Sequence, residues 1–121
     1  MKTSARASSV AIVSKHYVRR GRTYVFGPGK ADLLERIHET GSISEAAKQM
    51  EMSYMRAWQL VKGMNKGWLE PLVITTRGGS KRGGATVTVT GREVLRVYRE
   101  WETAAAASAE AVAKKLNVLL R

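Results

Sequence analysis

At 121 residues with a formal charge of +11 and no cysteine, the chain excludes a disulfide framework, a thiolate zinc site and a cysteine nucleophile, and it favours acidic partners. No apolar run approaches the roughly eighteen residues of a membrane span, and the N-terminus lacks the apolar core of a signal peptide, so a cytoplasmic protein without membrane contact is expected. The length suits one domain with an appendage.

The charge is unevenly placed. Residues 1–30 hold seven Lys or Arg and no acid, residues 31–70 sum to −1, residues 71–90 carry three basic residues and no acid, and the remainder sums to +2. Positive segments therefore bracket a nearly neutral middle. The histidines, His16 and His38, have no paired Asp or Glu motif around them, so no metal and no cofactor are expected.

Residues 1–9 are small and polar and read as a disordered basic tail. Val10 to Val18 and Thr23 to Phe26 favour strand, with Arg19-Arg20-Gly21-Arg22 as a basic hairpin turn between them. Gly27-Pro28-Gly29 ends this sheet. A first helix is predicted from Lys30 to Glu39, with Ala31, Leu33, Leu34 and Ile37 inward, and Thr40-Gly41 stops it.

Ser42 and Glu45 then form the S-x-x-E pattern of a capping box. A short helix follows, from about Ile43 to Met50, with Ile43, Ala46, Ala47 and Met50 inward; its alanines permit close crossing by another helix. The break falls at Glu51-Met52-Ser53. Ser53 caps the next helix, Tyr54 to Lys66, which turns Ala57, Leu60 or Val61, and Met64 inward. Its other face carries Tyr54, Met55, Arg56, Gln59 and Lys62. In a helix-turn-helix those side chains meet base edges, Arg suiting guanine, Gln adenine, and Met or Tyr the thymine methyl. Trp58 fits packing better than base contact.

After a connector at Trp68-Leu69-Glu70-Pro71, the pattern predicts a strand at Leu72–Thr76, a glycine-rich loop, and a strand at Ala85–Val89. This is a wing, with Arg77, Lys81 and Arg82 placed to reach phosphate or minor groove. A Walker loop is excluded, because Gly84 stands where Lys is required. Thr90-Gly91-Arg92-Glu93 reads as a further capping box, opening a helix to Leu120 that spans about 45 Å. Val94, Tyr98, Trp101, Ala105, Ser108 and Val112 recur along it at the three-and-four spacing of a paired helix, and mark a dimerisation seam.

These elements make a mainly α protein with small β, an α+β winged helix-turn-helix with an N-terminal β-hairpin and a long C-terminal dimerisation helix. The expected partition is tail 1–9, winged domain 10–90 and helix 91–121. Gly41-Ser42-Ile43-Ser44, Ala46-Ala47, Met52-Ser53-Tyr54, Ala57-Trp58, Met64-Asn65, Pro71-Leu72-Val73, the glycine wing and Thr90-Gly91-Arg92 together resemble the N-terminal DNA-binding domain of the ModE regulators, over about residues 24 to 101. LysR-type regulators resemble the chain more distantly. The resemblance implies a homodimeric transcription regulator with the Tyr54 helix in the groove and the wing on the backbone. Full-length members also carry molybdate-binding domains. This chain stops at Arg121, so molybdate sensing is not carried over and the stand-alone form is expected.

The functional expectation is a nucleoid-associated, sequence-specific reader of double-stranded DNA, working as a dimer on half-sites roughly 34 Å apart. Ser42, Ser53 and the wing residues position phosphates; Tyr54, Met55, Arg56 and Gln59 read bases; Lys62 does either. One rival is an architectural DNA-coating protein without sequence choice. Another is a module that binds an acidic protein. No spacing of carboxylate, His or nucleophile supports an enzyme.

Overall fold

The computed structural model describes residues 9–76 and 84–121. In chain order it contains β1 (Val18–Arg20), β2 (Thr23–Phe26), α1 (Pro28–Thr40), α2 (Ile43–Gln49), α3 (Tyr54–Lys66), β3 (Val73–Thr75), β4 (Ala85–Val87) and α4 (Val89–Asn117). Each sheet is a separate antiparallel pair, β1 with β2 and β3 with β4. The fold is thus α+β, a helix-turn-helix followed by paired wing strands and a long helix. Two compact units emerge: residues Lys15–Tyr98, and the described part of 1–14 together with Arg99–Arg121.

The first strand is much shorter than the apolar run suggests. Val10 to Tyr17 joins no sheet, and pairing is confined to Val18 opposite Phe26, Arg19 opposite Tyr24 and Arg20 opposite Thr23, with a bulge after Val18. The reason lies in the partner: β2 ends where Pro28, which has no amide hydrogen for a ladder, opens α1 two residues before the expected start at Lys30. Gly21, at φ 61°, takes the left-handed turn position between the strands.

Three helices enclose the core of the larger unit. Leu33, Leu34 and Ile37 of α1, Ala46 and Ala47 of α2, and Ala57, Val61 and Met64 of α3 are all buried, together with Phe26, Leu72 and Val87. The inner faces follow the expected spacing, with Val61 rather than Leu60 pointing fully inward. Each large side chain buried in this way contributes about 1.5–3 kcal/mol. The small alanines of α2 let α1 and α3 pack close to it.

Both serine caps form. Ser42 Oγ accepts from the Glu45 amide at 3.0 Å, and Ser53 Oγ accepts from the Arg56 amide at 3.1 Å. The reciprocal half of the first box does not form: the Ser42 amide donates to Thr40 Oγ1 at 3.2 Å, and the Glu45 carboxylate faces Lys48 at 3.9 Å. Thr40, already tied to the Arg36 carbonyl at 2.7 Å, occupies the place Glu45 was expected to take.

The start of α4 also differs. Its cap is Thr88, whose Oγ1 accepts from the Gly91 amide at 2.9 Å, while Thr90 donates to Glu70 at 2.6 Å and Glu93 pairs with Arg96 at 2.6 Å. The strand therefore ends at Val87, and Val89 is helical. The arginine beside Glu93 holds its carboxyl below the ordinary glutamate range.

The turn between α2 and α3 passes through Glu51 at φ 55°, a left-handed conformation that a residue with a Cβ adopts at a cost of about 1–2 kcal/mol. Glu51 is exposed. Glu51→Gly should therefore raise stability by about 0.5–1 kcal/mol in urea unfolding, the strain relieved exceeding the entropy glycine adds to the unfolded chain. A lower midpoint than wild type would refute strain at this turn.

Candidate nucleic-acid interface

The exposed face of α3 is built by its buried one. With Ala57, Val61 and Met64 fixed in the core, the helix projects Tyr54, Met55, Arg56, Gln59 and Lys62 outward, and Tyr54 and Met55 are 54% and 60% exposed. All five residues expected to read DNA thus share the outer surface of one helix. Trp58 is half-buried against the core, in line with a packing role. Ser42 and Ser53 stand at the starts of α2 and α3. Each accepts an amide hydrogen bond and keeps its own O–H to donate to an anion at the helix start.

The wing is locked to α3 by Asn65. Its Oδ1 accepts from the Leu72 amide at 2.8 Å and the Val73 amide at 3.1 Å, and its Nδ2 donates to the Val73 carbonyl at 2.9 Å. From that anchor β3 pairs with β4 in register, Val73 opposite Val87 and Thr75 opposite Ala85. The far strand is secured too, since the Ala85 amide donates to the Gly41 carbonyl at 2.9 Å. Gly41 sits at φ 72°, the left-handed C-cap that turns the chain from α1 into α2. The wing-tip residues Arg77, Lys81 and Arg82 lie outside the described residues.

Lys30 joins a third element to this surface. Its ammonium donates to the Tyr24 carbonyl at 3.0 Å and lies 3.9 Å from where a Cβ of Gly63 would project on α3. Partial burial lowers its pKa from the ordinary lysine value.

Known proteins resemble part of this sequence. The chain is 38% identical over 85 residues to the molybdenum transport protein ModE of Azotobacter vinelandii, an alignment covering 70% of this chain and 32% of that protein. It is 36% identical over 92 residues to the molybdenum-pterin-binding protein MopB of Rhodobacter capsulatus, covering 76% of this chain and 34% of the relative. With the DNA-binding transcriptional dual regulator ModE of Escherichia coli K12 it shares 37% identity over 71 residues, covering 59% and 27% respectively. The chain belongs to the ModE family. It spans about a third of the length of these relatives. No family model matches it.

Within this ModE-family chain, the seam predicted along α4 divides at Tyr98. That residue is 3% exposed, packs edge-on against Phe26 with ring centres 5.1 Å apart, and donates its hydroxyl to the His16 carbonyl at 2.7 Å. Tyr98 is therefore a core residue of its own domain, not a surface for a second chain, and Val94 also packs against that core. Farther along, Trp101 is 42% and Val112 47% exposed, Ser108 is exposed and Ala105 half-buried. Val97 and Leu116, which the seam omitted, are exposed on the same helix. Among the described residues, no helix is long and apolar enough to cross a membrane.

Two positioning residues of this ModE-family chain, Asn65 and Lys30, were not singled out for these roles by motif or charge. For Asn65 a faint signal existed, because asparagine is a poor helix former and stands in the last turn of a helix. For Lys30 there was none. Its role depends on Gly63, a residue far away in sequence.

Proposed function

We propose that the chain is a sequence-specific double-stranded DNA-binding transcription regulator acting as a homodimer. The observation carrying this reading is the outer face of α3, where Arg56 and Gln59 stand together beside Tyr54 and Met55 on a helix capped at Ser53. No Asp or Glu occurs from residue 52 to 69, so nothing on that helix repels a phosphate backbone. Regulators named ModE among its relatives support the same reading. Arg56 and Gln59 have the donor patterns for guanine and adenine, and Tyr54 and Met55 can cover thymine methyls. Lys62, Ser42, Ser53 and the wing residues Arg77, Lys81 and Arg82 hold phosphates.

Dimerisation is assigned to the exposed stretch of α4 beyond Tyr98, through Trp101, Ala105, Ser108 and Val112, with Leu116 extending the same stripe. A helix with this much apolar side chain in water gains by pairing.

Selection of genomic fragments by the purified protein, followed by competition binding, tests the proposal. An operator should outcompete random duplex by roughly a thousandfold or more. If α3 and the wing neutralise about six phosphates per dimer, log affinity should fall with log salt at a slope of about −5 or steeper. A salt-dependent affinity equal for all sequences would instead establish the architectural reading, which the excess of cations over carboxylates also permits. A slope near zero would remove both.

A further inference from the structure

The β1–β2 hairpin carries Arg19, Arg20 and Arg22 within seven residues of Lys15, all exposed, yet nothing assigned to the wing or α3 uses them. Such charge density is costly to maintain on one small ribbon, and residues 1–31 contain no carboxylate to offset it. The ribbon is also held firmly. Val25 and Phe26 are buried, and the Val25 side chain lies within 2.9 Å of where a Cβ on Gly67, just past α3, would sit. The Tyr17 and Tyr24 rings meet edge-on at 5.6 Å, and Lys30 ties the Tyr24 carbonyl to the flank of α3 beside Gly63. These arginines thus stand on a braced element.

Their placement continues a cationic line. Arg56, Lys62 and Lys66 are exposed along α3, Lys30 enters beside Gly63, and the hairpin departs from the helix end at Val25. From Val25 back to Gly21 the strand extends about 13 Å at some 3.3 Å per residue. That distance compares with the major-groove width of roughly 12 Å, the separation of the two sugar-phosphate strands on either side of a helix lying in the groove, so the hairpin is long enough to reach either edge.

We infer that the β1–β2 hairpin is a second phosphate clamp, in which Arg19, Arg20 and Arg22 grip the DNA backbone flanking the half-site read by α3. This rests on the proposed DNA-binding function and adds a contact region to it. Arginine suits the task because its fork bonds phosphate oxygens in pairs. The clamp adds affinity without sequence choice and lengthens the footprint on the side of the α3 C-terminus.

Hydroxyl-radical footprinting of the wild-type chain on its selected operator tests this directly, alongside salt-titrated binding of the triple variant Arg19→Ala/Arg20→Ala/Arg22→Ala and of Arg22→Ala alone. Expected is backbone protection beyond the base-read half-site, lost in the triple variant. Its log–log salt slope should shrink by roughly 2–3 per protomer, with the operator-to-random ratio unchanged. Arg22→Ala, at the exposed turn, should lower the slope by roughly one per protomer, and the triple lysine variant should restore most of what the alanine variant loses. Wild-type binding without flanking protection, or a slope indifferent to these substitutions, overturns the clamp while leaving the base-reading function standing. Absence of any salt-dependent duplex binding by the wild type overturns both.

Discussion

Gly91→Ala is expected to cost about 2 kcal/mol of stability, although alanine is the better helix former. A Cβ at this position would lie 2.5 Å from the Leu72 carbonyl oxygen, 2.8 Å from Val87 Cγ1 and 3.2 Å from the Leu72 carbonyl carbon. The nearest of these is backbone, and that backbone is committed on both sides. The Leu72 carbonyl accepts from the Thr88 amide at 2.9 Å, and the Leu72 amide donates to Asn65 at 2.8 Å. Relief therefore requires α4 to lift away from β3 and β4, at an overpacking cost of about 1–3 kcal/mol or somewhat more. The roughly 1 kcal/mol that alanine gains over glycine within a helix offsets only part of this. Thermal unfolding should show a midpoint lower by about 10 °C for a domain of this size. Gly29→Ala is the matched control, since its Cβ would meet nothing within 4 Å. Equal midpoints for the two variants would show that α4 does not press on Leu72.

The second large effect concerns recognition. Arg56→Ala/Gln59→Ala should weaken operator binding by about 2–6 kcal/mol, at about 1–3 kcal/mol for each lost base contact, while barely changing thermal stability. Both residues are exposed on the α3 surface, so neither removal opens a cavity. The diagnostic is the comparison with random duplex, which should lose far less, because phosphate contacts by Lys62 and the wing remain. Isothermal titration or fluorescence anisotropy on both duplexes measures it. An equal loss on operator and random DNA would mean that Arg56 serves the backbone and that bases are read elsewhere.

The helix-turn-helix was legible because its determinants are local. Ser42 and Ser53 cap amides three residues away, and the apolar positions of α1, α2 and α3 recur at helical spacing within each segment. What escaped depends on residues distant in sequence. Thr90 and Glu93 have the spacing of a capping box, yet Thr88 makes the cap because Gly91 must lie against the Leu72 backbone, and that proximity is set by the wing. The run Val10–Val18 has strand-like residues, but a strand extends only as far as its partner, and β2 stops at Phe26. The stripe along α4 was read correctly as apolar and incorrectly as having one destination. Periodicity reports that side chains align on a face; it does not report that Tyr98 is buried against Phe26 while Trp101 is 42% exposed. Among the proposed DNA contacts, surface position was readable for Tyr54 to Lys62, whereas the attachment that orients the wing, a single amide at Asn65, depends on where Leu72 and Val73 return.

That amide also separates two jobs that one helix performs. On the proposed function, Tyr54 to Lys62 decide which letters are read, while Asn65, a turn farther on, holds the frame by grasping β3 through backbone groups whose identity does not depend on side chains. The reading positions can therefore be exchanged wholesale to retarget the protein while the wing keeps its place, provided that the asparagine stays. A donor helix carrying any other residue there would bring its alphabet and lose its page.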